Sequence, residues 1–113
     1  MKPAAALLLA GLALVPAAPA VAQTGECARE AASIRRAESQ LPRIDVAPPG
    51  DKQIVCITLE TNMLFARRLA AHLAQCPRSP HARNGEAWRQ AGARYASQFR
   101  ERNCRPTIRD YRG

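Results

Sequence analysis

Residues 55–76, VCITLETNMLFARRLAAHLAQC, contain the pattern that decides the fold. Along this stretch, small or apolar residues and one asparagine recur at alternating steps of four and three: Leu59, Asn62, Ala66, Leu69, Leu73 and Cys76. Such steps place residues on one stripe of a helix. The pattern predicts a long helix over about residues 53–75. The β-branched run at residues 54–58 would also suit a strand, so helix or strand stays open for residues 53–60.

A first, shorter helix is predicted over about residues 25–41. Its small or apolar residues lie on one face and its charged residues lie elsewhere around the turn; that face comprises Cys27, Ala31, Ile34 and Leu41. Pro42 ends this segment because proline lacks the amide donor and clashes with the preceding turn. The stretch from Pro42 to Gly50 is therefore predicted to be a linker.

A third helix is predicted over about residues 85–103. Pro77 separates it from the long helix, and residues 78–85 are typical of a polar turn, in which Asn84 is a candidate N-cap. One face of this helix carries an aromatic stripe with a small residue inside it: Trp88, Ala91 or Gly92, Tyr95 and Phe99. We interpret the stripe as core, with Gly92 allowing another helix to approach closely.

The four cysteines predict two disulfides. An even number of cysteines in a short exported chain is expected to pair in an oxidising compartment. Up-down-up helices place Cys27 beside Cys76 at one end of the bundle and Cys56 beside Cys104 at the other. Pairing of Cys56 with Cys76 is excluded along one continuous helix, because the helical rise separates them by about 30 Å. The predicted fold is thus an all-α, disulfide-stapled three-helix domain.

Residues 1–22 have the layout of a secretory signal peptide. Lys2 precedes an apolar run from Ala4 to Val15, and the segment ends in small residues up to Ala22. The run is shorter than the roughly 20 residues that span a bilayer, so we expect no transmembrane segment in the mature chain. Residues 23–113 would form a single helical domain with a basic C-terminal tail over about residues 105–113, in the periplasm or outside the cell.

The positive charge is the strongest compositional signal. The 113 residues include 17 lysines and arginines against 9 acidic residues, for a formal net charge of +8. All but two of the basic residues are arginines, whose planar guanidinium groups match carboxylates and phosphates. Candidate contacts to an anion or partner lie in mid-helix and near the C-terminus: Arg67, Arg68, Arg100, Arg102, Arg105, Arg109 and Arg112. The alternative is a solvated helix face followed by a frayed tail.

No complete catalytic or cofactor motif is present, so we expect no enzyme activity, no cofactor and no metal. His72 and Cys76 stand four residues apart and His81 follows, but an oxidised Cys76 offers no thiolate to a metal. Ser79 and His81 are close in sequence only, which does not establish a nucleophile and its base. A small enzyme would need a pocket that brings Glu60, His72 or His81 together.

These observations predict a non-catalytic binding protein whose partner is an acidic protein of the cell envelope, in the manner of an inhibitor, a chaperone or an immunity protein. A general electrostatic binder of anionic envelope polymers or lipid surfaces is the second hypothesis, and a small enzyme is the third. We expect no nucleic-acid partner, because the basic residues are not interleaved with exposed aromatic residues that could stack on bases.

Overall fold

The computed structural model describes the backbone of residues 17–44 and 50–112. Within these residues the chain forms three α-helices, with a 3-10 helix (Pro80–Asn84) between the second and the third: α1 (Ala17–Ser39), α2 (Lys52–Gln75) and α3 (Gly85–Glu101). No strand occurs within the described residues. Because α2 contacts both α1 and α3, it forms the centre of the bundle. The predicted all-α fold with three helices is confirmed.

Helix α1 starts at Ala17, earlier than the predicted start near residue 25. The sequence of this extra part is rich in alanine, the residue with the highest helix propensity. Pro19 falls in the first turn, where a helix has no use for the amide hydrogen that proline lacks. Residues 1–16 of the predicted signal peptide lie outside the described residues, so the signal peptide stays a prediction.

Helix α2 is continuous through the segment for which a strand was the alternative. Asp51 caps its N-terminus, since the Asp51 Oδ1 atom accepts a hydrogen bond of 3.1 Å from the Ile54 amide. The cap satisfies one of the amide groups that an isolated helix start leaves unpaired. Residues 53–60 are therefore helical, and the strand alternative is wrong.

The predicted stripe of α2 faces inward as expected. Five of its six positions are buried and Leu73 is half-buried against the core. The one polar member, Asn62, donates hydrogen bonds to the carbonyls of Thr58 at 2.9 Å and Pro42 at 3.1 Å. Asn62 therefore fixes the start of the linker onto α2 without leaving a buried amide unpaired.

The hydrophobic core lies where α1, α2 and α3 meet. It is formed by Ile34, Ala37, Phe65 and Leu69, and the half-buried Trp88 of α3 packs against it. The Phe65 and Trp88 rings meet edge to face with centroids 4.7 Å apart. The Trp88 indole also donates a hydrogen bond of 3.3 Å to Glu38. On the aromatic face of α3, Phe99 is buried and Trp88 and Tyr95 are half-buried, so the face is turned largely inward as its spacing predicts.

The turn before α3 has more structure than its polar sequence indicates. Ser79 caps the 3-10 helix by accepting a hydrogen bond from the His81 amide, and Pro80 occupies the first position of that helix. Asn84 does occupy the N-cap position of α3, but its side chain makes no capping hydrogen bond. The 3-10 helix depends on the burial of Ser79 and His81 against α1 and α2, which local sequence does not show.

Helix α3 ends in a Schellman motif. Asn103 adopts a left-handed conformation with φ 57°, which asparagine tolerates better than most residues. The amides of Asn103 and Cys104 then bond to the carbonyls of Arg100 and Phe99, each at 3.0 Å. The motif turns the chain back toward α2 and places Cys104 beside Cys56.

Both predicted disulfides are confirmed. Cys27 is bonded to Cys76 and Cys56 to Cys104. The two bridges sit near opposite ends of α2, so each end of the central helix is joined covalently to a neighbouring segment. Within residues 17–44 and 50–112, no helix combines the length and the apolar character needed to cross a bilayer.

Residues 105–112 form a strap along α2 instead of a frayed tail. The buried carboxylate of Glu60 accepts hydrogen bonds of 2.9–3.1 Å from the Thr107 amide, the Thr107 hydroxyl and the Ile108 amide. Further along, Tyr111 packs against the core and the Arg112 carbonyl accepts from Arg68 at 2.9 Å. A frayed tail is therefore the wrong alternative, because the backbone of this segment is held at several points.

Candidate functional site

Three polar side chains form a hydrogen-bonded row across the end of the bundle that holds the Cys27–Cys76 bridge. The His72 Nδ1 atom lies 2.7 Å from Glu30 Oε1, and the His72 Nε2 atom lies 2.8 Å from Ser79 Oγ. The His72 side chain has no exposed surface, whereas 43% of the Glu30 side chain is exposed. Three separate elements, α1, α2 and the turn that follows α2, contribute one residue each to this Glu30–His72–Ser79 network.

The acceptor at Glu30 fixes one hydrogen bond of the network. The carboxylate of Glu30 accepts, so His72 Nδ1 donates to it. Ser79 Oγ accepts from the His81 amide at 3.2 Å and also bonds to His72 Nε2, and the direction of that second bond depends on the tautomer of the ring. Every buried side-chain nitrogen or oxygen in the described residues has a partner, as expected for a network that stabilises its own position.

Acid, histidine and serine in this order have the geometry of a catalytic triad, yet the serine is poorly placed to act. Ser79 is only 9% exposed, and its oxygen already caps the 3-10 helix. An open cavity of about 400 Å³ adjoins the network, but its lining residues do not include Ser79: Glu26, Cys27, Arg29, Glu30, Gln75 and Cys76. A nucleophile needs an approaching substrate, so this geometry favours a structural role.

The other sequence candidates for catalysis are dispersed. His81 is buried, and its Nε2 atom donates to the Ala31 carbonyl at 2.9 Å. The His72 and His81 rings lie with centroids 6.0 Å apart. Glu60 stands three turns before His72 on α2, about 18 Å away along the helix axis, and holds the strap. The structure thus brings His72 and His81 together, but it does not bring Glu60 to them.

The structure brings two of the three candidate metal ligands together and adds a different third group. His72 and Cys76 do lie together, and the third group beside them is Glu30 from α1, with one ligand atom of each within 4.8 Å of the others. His81, which the sequence offered as the third ligand, is not in this cluster. Cys76 is bonded to Cys27, so its sulfur is not a thiolate in this state.

The seven candidate arginines differ in exposure and in hydrogen-bond partners. Arg67 and Arg68 are adjacent in sequence, but successive helix residues point about 100° apart. Arg68 is half-buried and donates to the Arg112 carbonyl at 2.9 Å and to the Ser33 hydroxyl at 2.7 Å. Its guanidinium therefore holds the strap against α1 and α2.

The remaining six candidates are exposed. Arg100 lies at the end of α3 and Arg102 is its C-cap, while Arg105, Arg109 and Arg112 lie on the strap. None of these side chains forms a hydrogen bond or ion pair with a residue that the structure describes. Anchoring of the strap at Glu60 and Tyr111 therefore holds its arginines near the bundle with their guanidinium groups accessible to solvent.

Arg67 borders a groove between α2 and α3. The floor of this groove consists of small or apolar residues, and Arg67 and Arg89 are its charged members: Met63, Ala66, Arg67, Ala70, Arg89, Gly92, Ala93 and Ala96. Its volume is about 250 Å³. A second hollow of about 400 Å³ shares Ala66, Ala70 and Arg89 with it. Together the two define the α2–α3 groove.

Arg89 also pairs with Glu86 of the same helix. Its Nε atom donates to Glu86 Oε1 at 3.1 Å, and its terminal nitrogen makes a further short bond to Oε2. Hydrogen bonding to Arg89 lowers the pKa of the Glu86 carboxyl, and the same contact raises the pKa of Arg89. Both side chains are more than 60% exposed, so exchange of this pair for an incoming carboxylate has a small cost.

The sequence did not predict three of the residues that form these sites: Glu30, Ser79 as a partner of His72, and Arg89. The helical spacing of Cys27 with Glu30 and of His72 with Cys76 was the available signal, since each pair lies on one face of its helix. For Arg89 the signal was weaker, because one arginine among many in α3 is not distinctive.

Comparison with protein-family models, with curated proteins and with solved structures found no match for this chain.

Proposed function

We propose that this protein is a non-catalytic binding protein that takes up an acidic segment of a partner protein in the α2–α3 groove. The observation that carries the proposal is the combination of an alanine-lined floor with guanidinium groups from both helices, Arg67 from α2 and Arg89 from α3. Apolar side chains of the segment would cover the floor. Its carboxylates would accept charge-assisted hydrogen bonds from the two arginines.

The apolar floor favours a protein segment over a purely electrostatic ligand. A polyanion gains its binding energy from charge alone and would be attracted to all the exposed arginines alike. An amphipathic acidic segment also removes apolar surface from water, which contributes about 25 cal/mol per Å². Gly92 lies close to Ala66, so the two helices present small side chains to a ligand that lies along them.

We further propose that the protein acts in the periplasm or outside the cell. Two disulfides without a free cysteine in the described residues are typical of an oxidising compartment. The sequence of residues 1–22 supports the same placement, because its apolar run and small-residue end are those of a signal peptide. The partner would then be an acidic protein of the cell envelope or of the surrounding medium.

The proposal can be tested with two variants that change the net charge equally. The groove variant carries Arg67→Gln and Arg89→Gln, and the strap variant carries Arg105→Gln and Arg109→Gln. Immobilised wild type and both variants are incubated with extract of the source cells, washed with salt, and eluted in denaturant for mass spectrometry. A discrete acidic protein should be retained by the wild type and the strap variant, and at least about tenfold less by the groove variant.

Two controls separate the alternatives. Ala96→Leu fills the groove without altering charge and should weaken retention as the groove variant does. Polyglutamate serves as a general polyanion, and its binding should fall to a similar extent in both charge variants. Equal loss of all bound proteins in the groove and strap variants, with release at modest salt, would contradict the groove and favour a general electrostatic surface.

A further inference from the structure

The bundle end that holds the Cys27–Cys76 bridge concentrates four metal-binding side chains. Helix α1 contributes Cys27 and Glu30, which are three residues apart, and α2 contributes His72 and Cys76, which are four apart. Both spacings place the paired side chains on one helix face. Ligand atoms of Glu30, His72 and Cys76 lie together between the helices, and the disulfide holds the Cys27 sulfur against that of Cys76.

The distances are close to those of a tetrahedral site. Ligand atoms of Glu30, His72 and Cys76 lie within 4.8 Å of one another, and the sulfur of Cys27 is bonded to that of Cys76. Zinc–sulfur bonds of about 2.3 Å and zinc–nitrogen or zinc–oxygen bonds of about 2.0–2.2 Å bring ligand atoms to within about 4 Å of each other. Three of the four ligand atoms are therefore already near these distances, and reduction of the bridge would free the Cys27 sulfur to become the fourth ligand.

The hydrogen bonds around His72 already fix its ring in the required orientation. Nδ1 faces Glu30, and Nε2 faces the Ser79 hydroxyl at 2.8 Å. A histidine that binds a metal through one nitrogen usually donates its other N–H to an oxygen acceptor. If Nδ1 binds the metal, the ring proton moves to Nε2 and is donated to Ser79 Oγ, which keeps its bond from the His81 amide.

Solvent can reach the site from outside the bundle. The open cavity of about 400 Å³ is lined by Cys27, Glu30 and Cys76, so a reductant and a metal ion have an entry path. Glu26 and Arg29 line the same cavity, so one further carboxylate and one guanidinium lie beside the site. The Cys56–Cys104 bridge has no comparable group of ligands within the described residues.

We propose that this end of the bundle is a redox-gated zinc site, in which the Cys27–Cys76 disulfide and a zinc ion coordinated by Cys27, Glu30, His72 and Cys76 are alternative states. A dithiol reductant gives two electrons and two protons to the disulfide, which becomes two thiols as the reductant becomes a disulfide. Zinc binding then releases the thiol protons to solvent. After loss of zinc, exchange with a dithiol oxidant in its disulfide form, which takes up the two electrons and two protons, restores the bridge. This inference is independent of the α2–α3 groove.

The test uses two variants with one cysteine pair each. The variant Cys56→Ser/Cys104→Ser retains the proposed site, and Cys27→Ser/Cys76→Ser retains the other pair as a matched control. Both are reduced with a phosphine without oxygen and titrated with Co²⁺, then with Zn²⁺. The first should bind one Co²⁺ with thiolate charge-transfer and tetrahedral d–d absorption, and Zn²⁺ should displace it. The control should show neither spectrum.

Further substitutions separate a folded site from binding by an unfolded chain. In the site-retaining variant, Glu30→Gln and Ser79→Ala should each weaken Co²⁺ affinity at least about tenfold, since one removes a ligand and the other the partner of His72. Circular dichroism follows helix content throughout. Equal metal affinity in both cysteine-pair variants, affinity unchanged by Glu30→Gln, or absence of Co²⁺ binding would each overturn the proposal.

Discussion

Glu60 shows how a single residue can stabilise an otherwise weak segment. The residue is 4% exposed, and its carboxylate accepts hydrogen bonds from two consecutive backbone amides and one hydroxyl. Residues 105–112 contain no regular secondary structure, so their order depends on such side-chain contacts. An isolated acid in a weakly charged part of α2 indicates an internal partner, but only the folded chain shows that the partner lies 47 residues away.

Replacement of Glu60 should release the strap. Glu60→Ala leaves the Thr107 and Ile108 amides without their acceptor and is expected to cost about 2–3 kcal/mol of unfolding free energy. Glu60→Gln keeps one oxygen acceptor and should cost less. Denaturant unfolding measures the loss, and hydrogen exchange at Thr107 and Ile108 locates it. Glu101→Ala is an exposed control that removes only a bond from Ser97, so the unfolding free energy and the hydrogen exchange should stay unchanged. Equal effects of Glu60→Ala and Glu101→Ala would contradict the role of Glu60.

At the same scale, the sequence identifies residue types more readily than residue partners. His72 is readable as a histidine four positions before a cysteine on one helix face, but its full burial is not. Its contact with Glu30 requires α1 to lie beside α2, and its contact with Ser79 requires the turn after Pro77 to fold back. These distances depend on tertiary packing, which the spacing of residues within one element does not specify.

Among the elements, α2 and α3 depend on a close approach at Gly92. A Cβ atom added there would lie 2.8 Å from the Cβ of Ala66, well inside the distance of an ordinary contact. Helix periodicity predicts that Gly92 faces a neighbouring helix, because it lies between Trp88 and Phe99 on the buried side. The identity of its neighbour follows only from the register between the two helices.

Gly92→Ala should therefore destabilise the protein in spite of alanine's higher helix propensity. Alanine gains about 1 kcal/mol in the helix, but overpacking against Ala66 is expected to cost about 1–3 kcal/mol, so the net change should be zero to about 2 kcal/mol destabilising. The double variant Gly92→Ala/Ala66→Gly relieves the contact and should show favourable coupling in denaturant unfolding. Strict additivity of the two substitutions would contradict a direct contact.

The strap should become less stable in alkaline solution. Burial raises the pKa of the Tyr111 phenol above its ordinary value of 10.0, although nearby Arg68 acts in the opposite direction. The folded state thus holds the phenolic proton more tightly than the unfolded state. The resulting stability is complete below pH 10 and is lost as the pH rises through the higher folded pKa.

Unfolding curves of the wild type and Tyr111→Phe test this pH dependence. Above pH 10 the wild type should lose more stability than Tyr111→Phe, because phenylalanine packs similarly but cannot ionise. Tyr95 is present in both proteins and cancels in the comparison. Parallel pH profiles would show that Tyr111 ionises equally in both states.

On the scale of the whole molecule, the disulfide pattern follows from helix geometry. Once residues 55–76 are one continuous helix, Cys56 and Cys76 lie at its opposite ends, and their partners come from outside it: Cys27 of α1 and Cys104 just after α3. The pairing was therefore predictable, whereas the shape of the arginine surface was not. Adjacent residues such as Arg67 and Arg68 point in different directions, so the density of charge along the chain does not predict a patch in three dimensions.

Removal of each bridge should have a different cost. The closed loops have sequence separations of 49 and 48 residues, so the chain-entropy model gives about 4 kcal/mol for both. Cys27→Ser/Cys76→Ser also introduces polar atoms beside the buried His72, and its unfolding free energy should fall further than that of Cys56→Ser/Cys104→Ser. Denaturant unfolding of the two variants measures the difference, and an equal loss would mean that the network is insensitive to its adjoining bridge.

The position of both bridges on α2 bears on how the oxidised protein is assembled. Four cysteines allow three ways of pairing, and a flexible chain would form the wrong ones readily because shorter loops close more easily. A preformed α2 holds Cys56 and Cys76 about 30 Å apart, which removes the most local pairing before any oxidant acts. The central helix thereby acts as a template for oxidative folding, and the order in which native bridges form becomes a kinetic readout of when that helix first appears.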